Sequence, residues 1–337
     1  MKKVIALILV GALCGGATIF LPRILQDYKK SIPAKKTVYI PLQATYSQML
    51  DSIATAVEDM KSFKKVALRN ELEKNFKPGR YFLTPDKSNK DLARMLRMGW
   101  ESPMMLTMSG NIRGLEKLSG ILGKRLAADS VSFMEHFAKA ATWEENGFKK
   151  ETFMAMFLPN TYEVYWTITP QKFVERMKKE YDKFWNQNRL EKAKAIGLTP
   201  VEVSILASIV CEETNYTPEM PRVAGVYMNR LKKGMKLDAD PTVKFALNDP
   251  SIKRILFRHL KVDSPYNTYL YAGLPPGPIT IPSIKGIDAV LDYEQHNYLY
   301  FCANANMDGT HKFARTLAEH NRNAREYQRA LNRLKIR

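Results

Sequence analysis

Two adjacent carboxylates, Glu212 and Glu213, close the apolar run SILASIVCEE (residues 204–213). A carboxyl set among apolar side chains has its charged form disfavoured by desolvation, which raises its pKa toward the range a general acid needs at neutral pH. Thr199, Pro200 and Glu202 make a capping box with proline at the first helical position, so a helix starts there and runs to about Thr214. At about 100° per residue, with Glu213 at zero, Leu206 falls at about 20°, Ile209 at about −40°, Val210 at about 60° and Val203 at about 80°. Glu213 is therefore centred on the apolar face, Glu212 lies roughly 100° away at its edge, and Cys211 lies almost opposite. Of the two carboxylates, Glu213 is the one that burial would perturb. A Glu that pairs with a buried Arg, or caps a loop, would give the same pattern.

Downstream come Asn229 and Arg230, then GMKLDADPTV (234–243), SPYNTYLYAGLPPGPI (264–279) and YLYFCANANMDGTHKFARTLAEHN (298–321), where polar and aromatic side chains interleave with Gly and Pro turns. Loops of this kind build a groove, and Tyr266, Tyr269 and Tyr271 offer stacking faces to sugar rings. Asp238 and Asp240 are the candidates for a second carboxyl, although Asp240, next to Pro241, equally suits a turn or cap. Other chemistries lack their signatures. The five histidines show no HExxH spacing, no GxSxG elbow is present, and the three cysteines form no CxxC. No metal site, no cofactor and no disulfide framework is expected.

These residues need a scaffold. The chain has 337 residues, 45% of them apolar, with 17 Gly and 18 Pro, a globular composition that excludes wholesale disorder, collagen-like repeats and a polytopic membrane protein. Its net charge of +18 favours a polyanionic partner. Nucleic acid is disfavoured, because zinc-finger spacing, RNP-like runs and basic repeats are all missing. Residues 4–21 form an uncharged stretch of 18, long enough to cross a hydrocarbon core of roughly 30 Å as a helix. A cleaved signal peptide is the alternative, but the cleavage site is poor and Leu13 before Cys14 spoils a lipoprotein-type one. Arg23, Lys29, Lys30, Lys35 and Lys36 follow the span. Long downstream domains translocate largely regardless of such charges, so the body is expected outside the cytoplasm. Residues 23–36 suggest a short basic tether. Residues 37–99 follow a strand, helix, helix, strand, helix pattern with no His or Cys, which suits a small α+β binding module. Residues 104–198 are mainly helical, and FLPNTYEVYW (157–166) suits either buried core or a ligand platform.

ASIVCEET (207–214), NRL (229–231), DPTV (240–243), YNTY (266–269), GLPPGPI (273–279) and H-x-F-x-x-T-x-x-E-H-N (311–321) together resemble the signature blocks of the YceG-like endolytic murein transglycosylases, the MltG family. The likeness extends upstream through FLPNTYEVYW and KPGRY. The resemblance implies an α+β protein: a transmembrane anchor (1–22), a tether (23–36), a LysM-like module (37–103) and a mixed α+β catalytic domain (104–337). It also implies a single-pass protein of the bacterial inner membrane, its body on the periplasmic or outer face, acting on peptidoglycan glycan strands beside cell-wall synthesis enzymes. In that family the catalytic acid is the second Glu of a SIVEKET-like block, which falls on Glu213. The implied reaction cleaves the β-1,4 bond between N-acetylmuramic acid and N-acetylglucosamine without water. Glu213 protonates the glycosidic oxygen and then accepts the C6 hydroxyl proton as a 1,6-anhydro ring closes. Asn229, Tyr266, Asn267 and Thr268 are expected to hold acetamido and hydroxyl groups, with Asp240, His311 and Asn321 also on the substrate, and each has a loop-stabilising alternative. Two positions depart from the family pattern: Cys211, often acidic, and Asp238, often Gln. The rival functions are a non-catalytic membrane-anchored wall-binding scaffold and a two-carboxylate muramidase. If Glu213 is the acid, Glu213→Gln loses roughly 10²–10⁴-fold in strand cleavage while still folding, and Glu212→Gln is far milder. Reversed effects would show that the helix phase is wrong.

Overall fold

The computed structural model describes residues 20–249, 252 and 254–333. The expected membrane span falls on residues 1–19 for nearly all its length and so lies outside the described residues. Among the described residues no single helix is long and apolar enough to cross a membrane. The architecture is mixed α+β: among the described residues, helices carry three separate two-stranded sheets.

The chain divides into two compact units. The first comprises the chain up to Leu106 plus Arg125–Ala128 and Glu163–Thr169, whereas the sequence suggests a single cut after residue 103. It opens in a helix over residues 20–28 (α1). Then come β1 (Lys36–Ile40), α2 (Tyr46–Ala54), α3 (Met60–Arg69), the short α4 (Leu72–Asn75), β2 (Gly79–Leu83) and α5 (Asn89–Met98). Capping explains these bounds. Thr45 and Gln48 form a capping box before α2, Ser88 and Asp91 form another before α5, and α5 stops at Gly99, whose φ of 69° is left-handed. β1 and β2 pair antiparallel from Lys36↔Leu83 to Ile40↔Gly79, and their alternation turns Val38, Ile40, Tyr81 and Leu83 inward onto Met49, Phe63 and Leu92. The stretch expected as a tether is built into this unit. Arg69 donates to Gln26 and Asp27 of α1, the Ser31 carbonyl accepts from the Glu58 amide, and Ile32 is buried.

β3 (Met104–Met108) and β4 (Asn160–Val164) form the second sheet. The second unit holds α6 (Gly114–Arg125, up to Lys124), α7 (Ser130–Ala138), α8 (Ala140–Glu144), α9 (Pro170–Phe184), α10 (Gln187–Ala195), α11 (Pro200–Glu213), α12 (Met220–Lys232), α13 (Asp240–Leu247), α14 (Ile284–Leu291), the hairpin-like pair β5 (Tyr300–Ala303) and β6 (His311–Ala314), and α15 (Leu317–Arg333). Phe133, Phe137, Phe153, Phe157 and Phe173 are fully buried and meet in edge-to-face, tilted and stacked pairs, so in FLPNTYEVYW the residues Phe157, Leu158, Tyr162 and Val164 are core. α11 has the expected capping box and ends at Glu213 with Thr214 as C-cap.

α11 differs from the sequence expectation in one respect: every residue from Val203 to Cys211 is buried, so the helix has no distinct polar face. Its polar side chains are satisfied internally. Ser208 accepts from the Ile279 amide and donates to the Ile205 carbonyl. Cys211 lies 3.3 Å from the Ser283 hydroxyl, against Gly286 of α14, where a Cβ would come within 2.2 Å of its Sγ. Glycine is what lets α14 approach this closely.

Candidate active site

Glu213 emerges where α11 runs out of the core. It lines a cavity of ≈ 410 Å³ closed by side chains from α12, the 237–240 segment, Tyr269, β5, β6 and α15. Tyr227 and Arg230, three residues apart, present one face of α12 to this cavity. The Tyr227 hydroxyl donates to Glu213 Oε1 at 2.6 Å. Burial pushes the Glu213 carboxyl up to about 7. The Tyr227 hydrogen bond opposes that rise, the charges of Asp240 and Glu212 add to it, and Arg230 opposes it. Burial and the adjacent carboxylate in turn raise the Tyr227 phenol, which stays a hydrogen-bond donor.

Glu212 goes elsewhere. It pairs with Arg113, so the two neighbouring carboxylates are divided between an ion pair and the cavity. Arg230 is buried and stitches the cavity wall: its guanidinium donates to the carbonyls of Leu299, Lys236 and Leu237 and to Asp238 Oδ2 at 2.9 Å, and it faces the Tyr300 ring at 5.1 Å. Asp238 has a left-handed backbone (φ 50°), which Asp tolerates better than most residues. Asp240 Oδ1 accepts from the Tyr269 hydroxyl at 2.7 Å. On the opposite wall, buried Glu219 takes the His311 amide at 2.9 Å and meets its Nδ1 at 2.7 Å, leaving Nε2 as the ring nitrogen for the cavity. His320 stacks on Tyr300, and its buried Nδ1 has no hydrogen-bond partner among the described residues. Burial and Arg230 push its pKa down, so it stays neutral at pH 7. Among the described residues no group of three His, Cys, Asp or Glu could hold a metal ion.

The sequence matches the YceG-like family over residues 38–326. The chain belongs to this family. It is 41% identical over 122 residues to the endolytic murein transglycosylase of Bacillus subtilis, covering 36% of this chain and 33% of that protein. It is 25% identical over 282 residues to the endolytic murein transglycosylase of Streptococcus pneumoniae (strain D39), covering 75% of this chain and 51% of that protein. The match thus spans between a third and a half of the length of these relatives. A crystal structure of a YceG-like protein from Listeria monocytogenes superposes with a TM-score of 0.55 at 26% identity, covering 86% of this chain and 98% of that one.

Of the residues singled out from the YceG-like sequence, Glu213, Asp238, Asp240, Tyr269 and His311 line the cavity. The others do not. Asn229 donates to the carbonyls of His296 and Tyr298, anchoring the approach to β5. Asn267 is fully buried and donates to the carbonyls of Leu260 and Val262, while its Oδ1 takes the Tyr269 amide. Thr268 accepts from the Ala239 amide and shares a hydrogen bond with Thr242. Asn267 and Thr268 therefore position Tyr269 and the 238–240 segment. Tyr266 packs against Phe245 beside a second cavity, Tyr271 bonds to Asp263, and Asn321 is exposed on α15. Tyr227, Arg230, Tyr300 and His320 were not singled out. The i, i+3 spacing of Tyr227 and Arg230 was the available signal, since Asn229 falls about 100° off that face.

Raising a carboxyl in the folded state has a pH consequence. The folded protein binds this proton more tightly than the unfolded chain, so the stability Glu213 contributes is complete below its ordinary value of 4.5 and is lost as pH rises through about 7. The urea midpoint of Glu213→Gln should exceed that of the parent at pH 8, and the gap should shrink toward pH 5. A gap that is the same at both pH values would mean that Glu213 is not perturbed.

Proposed function

We propose that this chain is an endolytic lytic transglycosylase of peptidoglycan. It cuts the β-1,4 bond between N-acetylmuramic acid and N-acetylglucosamine in nascent strands and leaves 1,6-anhydromuramyl ends. The observation that carries the reading is Glu213 at the wall of the cavity, its carboxyl raised to about 7 by burial and held by Tyr227. A carboxyl poised near neutrality can give a proton to the glycosidic oxygen and then take one from the C6 hydroxyl. One group thus serves both steps. Tyr227 fixes the orientation of Glu213. His311, held by Glu219, and Tyr300 with its partner His320 offer a hydrogen-bonding edge and a stacking face to the sugars. Belonging to the YceG-like family and matching relatives named as murein transglycosylases support the reading.

A two-carboxylate muramidase is the second reading, because Asp240 shares the cavity and its charge bears on Glu213. The two differ in the nucleophile. Digestion of isolated sacculi in heavy-oxygen water should yield only anhydro ends without label. A labelled reducing-end fraction that disappears in Asp240→Asn would establish the muramidase.

The proposal extends to location. We read the chain as a single-pass protein of the bacterial inner membrane with its body on the periplasmic or outer face, carrying a LysM-like wall-binding module in its first unit and working beside wall-synthesis enzymes. On α1, the large apolar side chains of Phe20, Leu21, Ile24, Leu25 and Tyr28 are exposed, while Gln26 and Asp27 accept from Arg69. Such exposed apolar side chains suit a segment next to a lipid surface. Deleting residues 1–28 should release the protein from sedimented membranes, and retention in the pellet would contradict the anchor.

A further inference from the structure

Glu219 closes the 3₁₀ turn Thr217–Glu219 just before α12, yet its side chain makes no capping bond to that helix. It reaches instead to His311, the first residue of β6, which faces Ala303 of β5. Oε1 accepts from the His311 backbone amide at 2.9 Å, and Oε2 lies 2.7 Å from the ring Nδ1. The Glu219 side chain is only 7% exposed and that of His311 14%, so water competes little for either bond. A carboxylate can only accept, so Nδ1 carries the hydrogen and the uncharged ring keeps a bare lone pair on Nε2. His311 lines the catalytic cavity, and its Nε2 has no hydrogen-bond partner among the described residues.

This nitrogen stands close to the centre of the site. The Phe301 ring meets His311 edge-on with centroids 5.2 Å apart and meets Tyr227 edge-on at 5.8 Å, and Tyr227 is the phenol that holds Glu213. A fixed acceptor matters for one kind of partner. A hydroxyl can turn to donate to a bare nitrogen or to accept from a protonated one, so it binds either tautomer. An amide N–H can only donate. On a glycan backbone of acetamido sugars, the acetamido N–H is the donor of that kind.

We propose that His311 Nε2 accepts a hydrogen bond from the acetamido N–H of the sugar bound beside Glu213, and that Glu219 is the positioning residue that keeps this nitrogen bare. The choice of sugar rests on the proposed function. No bond is made or broken in this role; the pair fixes how the sugar lies against the carboxyl.

Glu219→Gln inverts the polarity without changing the shape. The His311 backbone N–H can only donate, so it keeps the Gln carbonyl oxygen in the place of Oε1 and leaves the Gln NH₂ facing Nδ1. Nδ1 must then accept, the ring hydrogen moves to Nε2, and the cavity presents a donor where it had an acceptor. The test uses the full chain in detergent in a Glu213→Gln background, so that binding is read without turnover. Nitrogen-15 NMR of labelled histidine, assigned with His311→Asn, reads the tautomer, and calorimetry reads the Kd for purified peptide-free glycan strands. The hydrogen should sit on Nδ1 before Glu219→Gln is added and on Nε2 after it, with binding at least tenfold weaker at an unchanged Tm. His311→Asn, which keeps an NH₂ group for Glu219 and removes Nε2, should lose at least tenfold as well, and it decides the matter if Glu219→Gln does not fold. Hydrogen on Nε2 at the outset, no saturable binding of strands, or affinity that survives the inverted tautomer or His311→Asn would overturn the proposal. The catalytic reading fails on a different result, cleavage of strands by Glu213→Gln itself.

Discussion

A single carboxyl forced to the edge of a dry helix sets the terms for the rest of this protein. Glu213 ends a helix whose preceding residues from Val203 to Cys211 are all buried, so its carboxyl cannot be drawn fully back into water without dismantling the core around α11. Burial then favours its neutral form, and Tyr227 supplies a donor that keeps the ionised form within reach. Under the proposed reaction, a group that both gives and takes a proton near neutral pH needs this balance. The same burial costs stability as pH rises, up to ~3 kcal/mol at 1.36 kcal/mol per pH unit, a cost the remaining core must offset.

Much of the second unit can be understood as what holds that carboxyl in place. Gly286 lets α14 close on Cys211, and Ser208 ties α11 to the Ile279 backbone. Arg230 binds three carbonyls and Asp238 from within α12, fixing the loop that ends in Asp240. Asn267 and Thr268 brace the same loop from the other side. Buried polar groups so fully bonded give a cavity wall of fixed shape, and one that can orient a substrate before reaction. Glu212, one residue away from Glu213, is held by Arg113 instead of lining the cavity.

The parts legible in the sequence were those governed by local rules. Capping boxes at Thr45, Ser88 and Thr199 and the glycine stop at Gly99 mark helix ends through contacts between near neighbours. Glu213 was legible too, though for a reason other than its wheel position: α11 is buried all round, and Glu213 reaches the cavity because the helix ends there. Long-range bonding was invisible. Asn229, Asn267 and Thr268 have the side chains of ligand binders, yet each is consumed by backbone groups or a threonine distant in sequence. Nothing local announces that Arg69 will capture α1 and turn a basic, linker-like stretch into part of a folded unit. The face shared by Tyr227 and Arg230 was written in their spacing, but choosing it over Asn229 requires knowing which side of α12 meets the cavity.

The most direct measurement is the titration of the Glu213 carboxyl itself, followed by carbon-13 NMR of glutamate-labelled protein with Glu213→Gln to assign the signal. The account predicts one carboxyl titrating near 7, absent from the Gln variant, and moving higher in Tyr227→Phe, which lacks the hydrogen bond favouring the ionised form. A Glu213 signal titrating at its ordinary value of 4.5, or unmoved by loss of the Tyr227 hydroxyl, would contradict it.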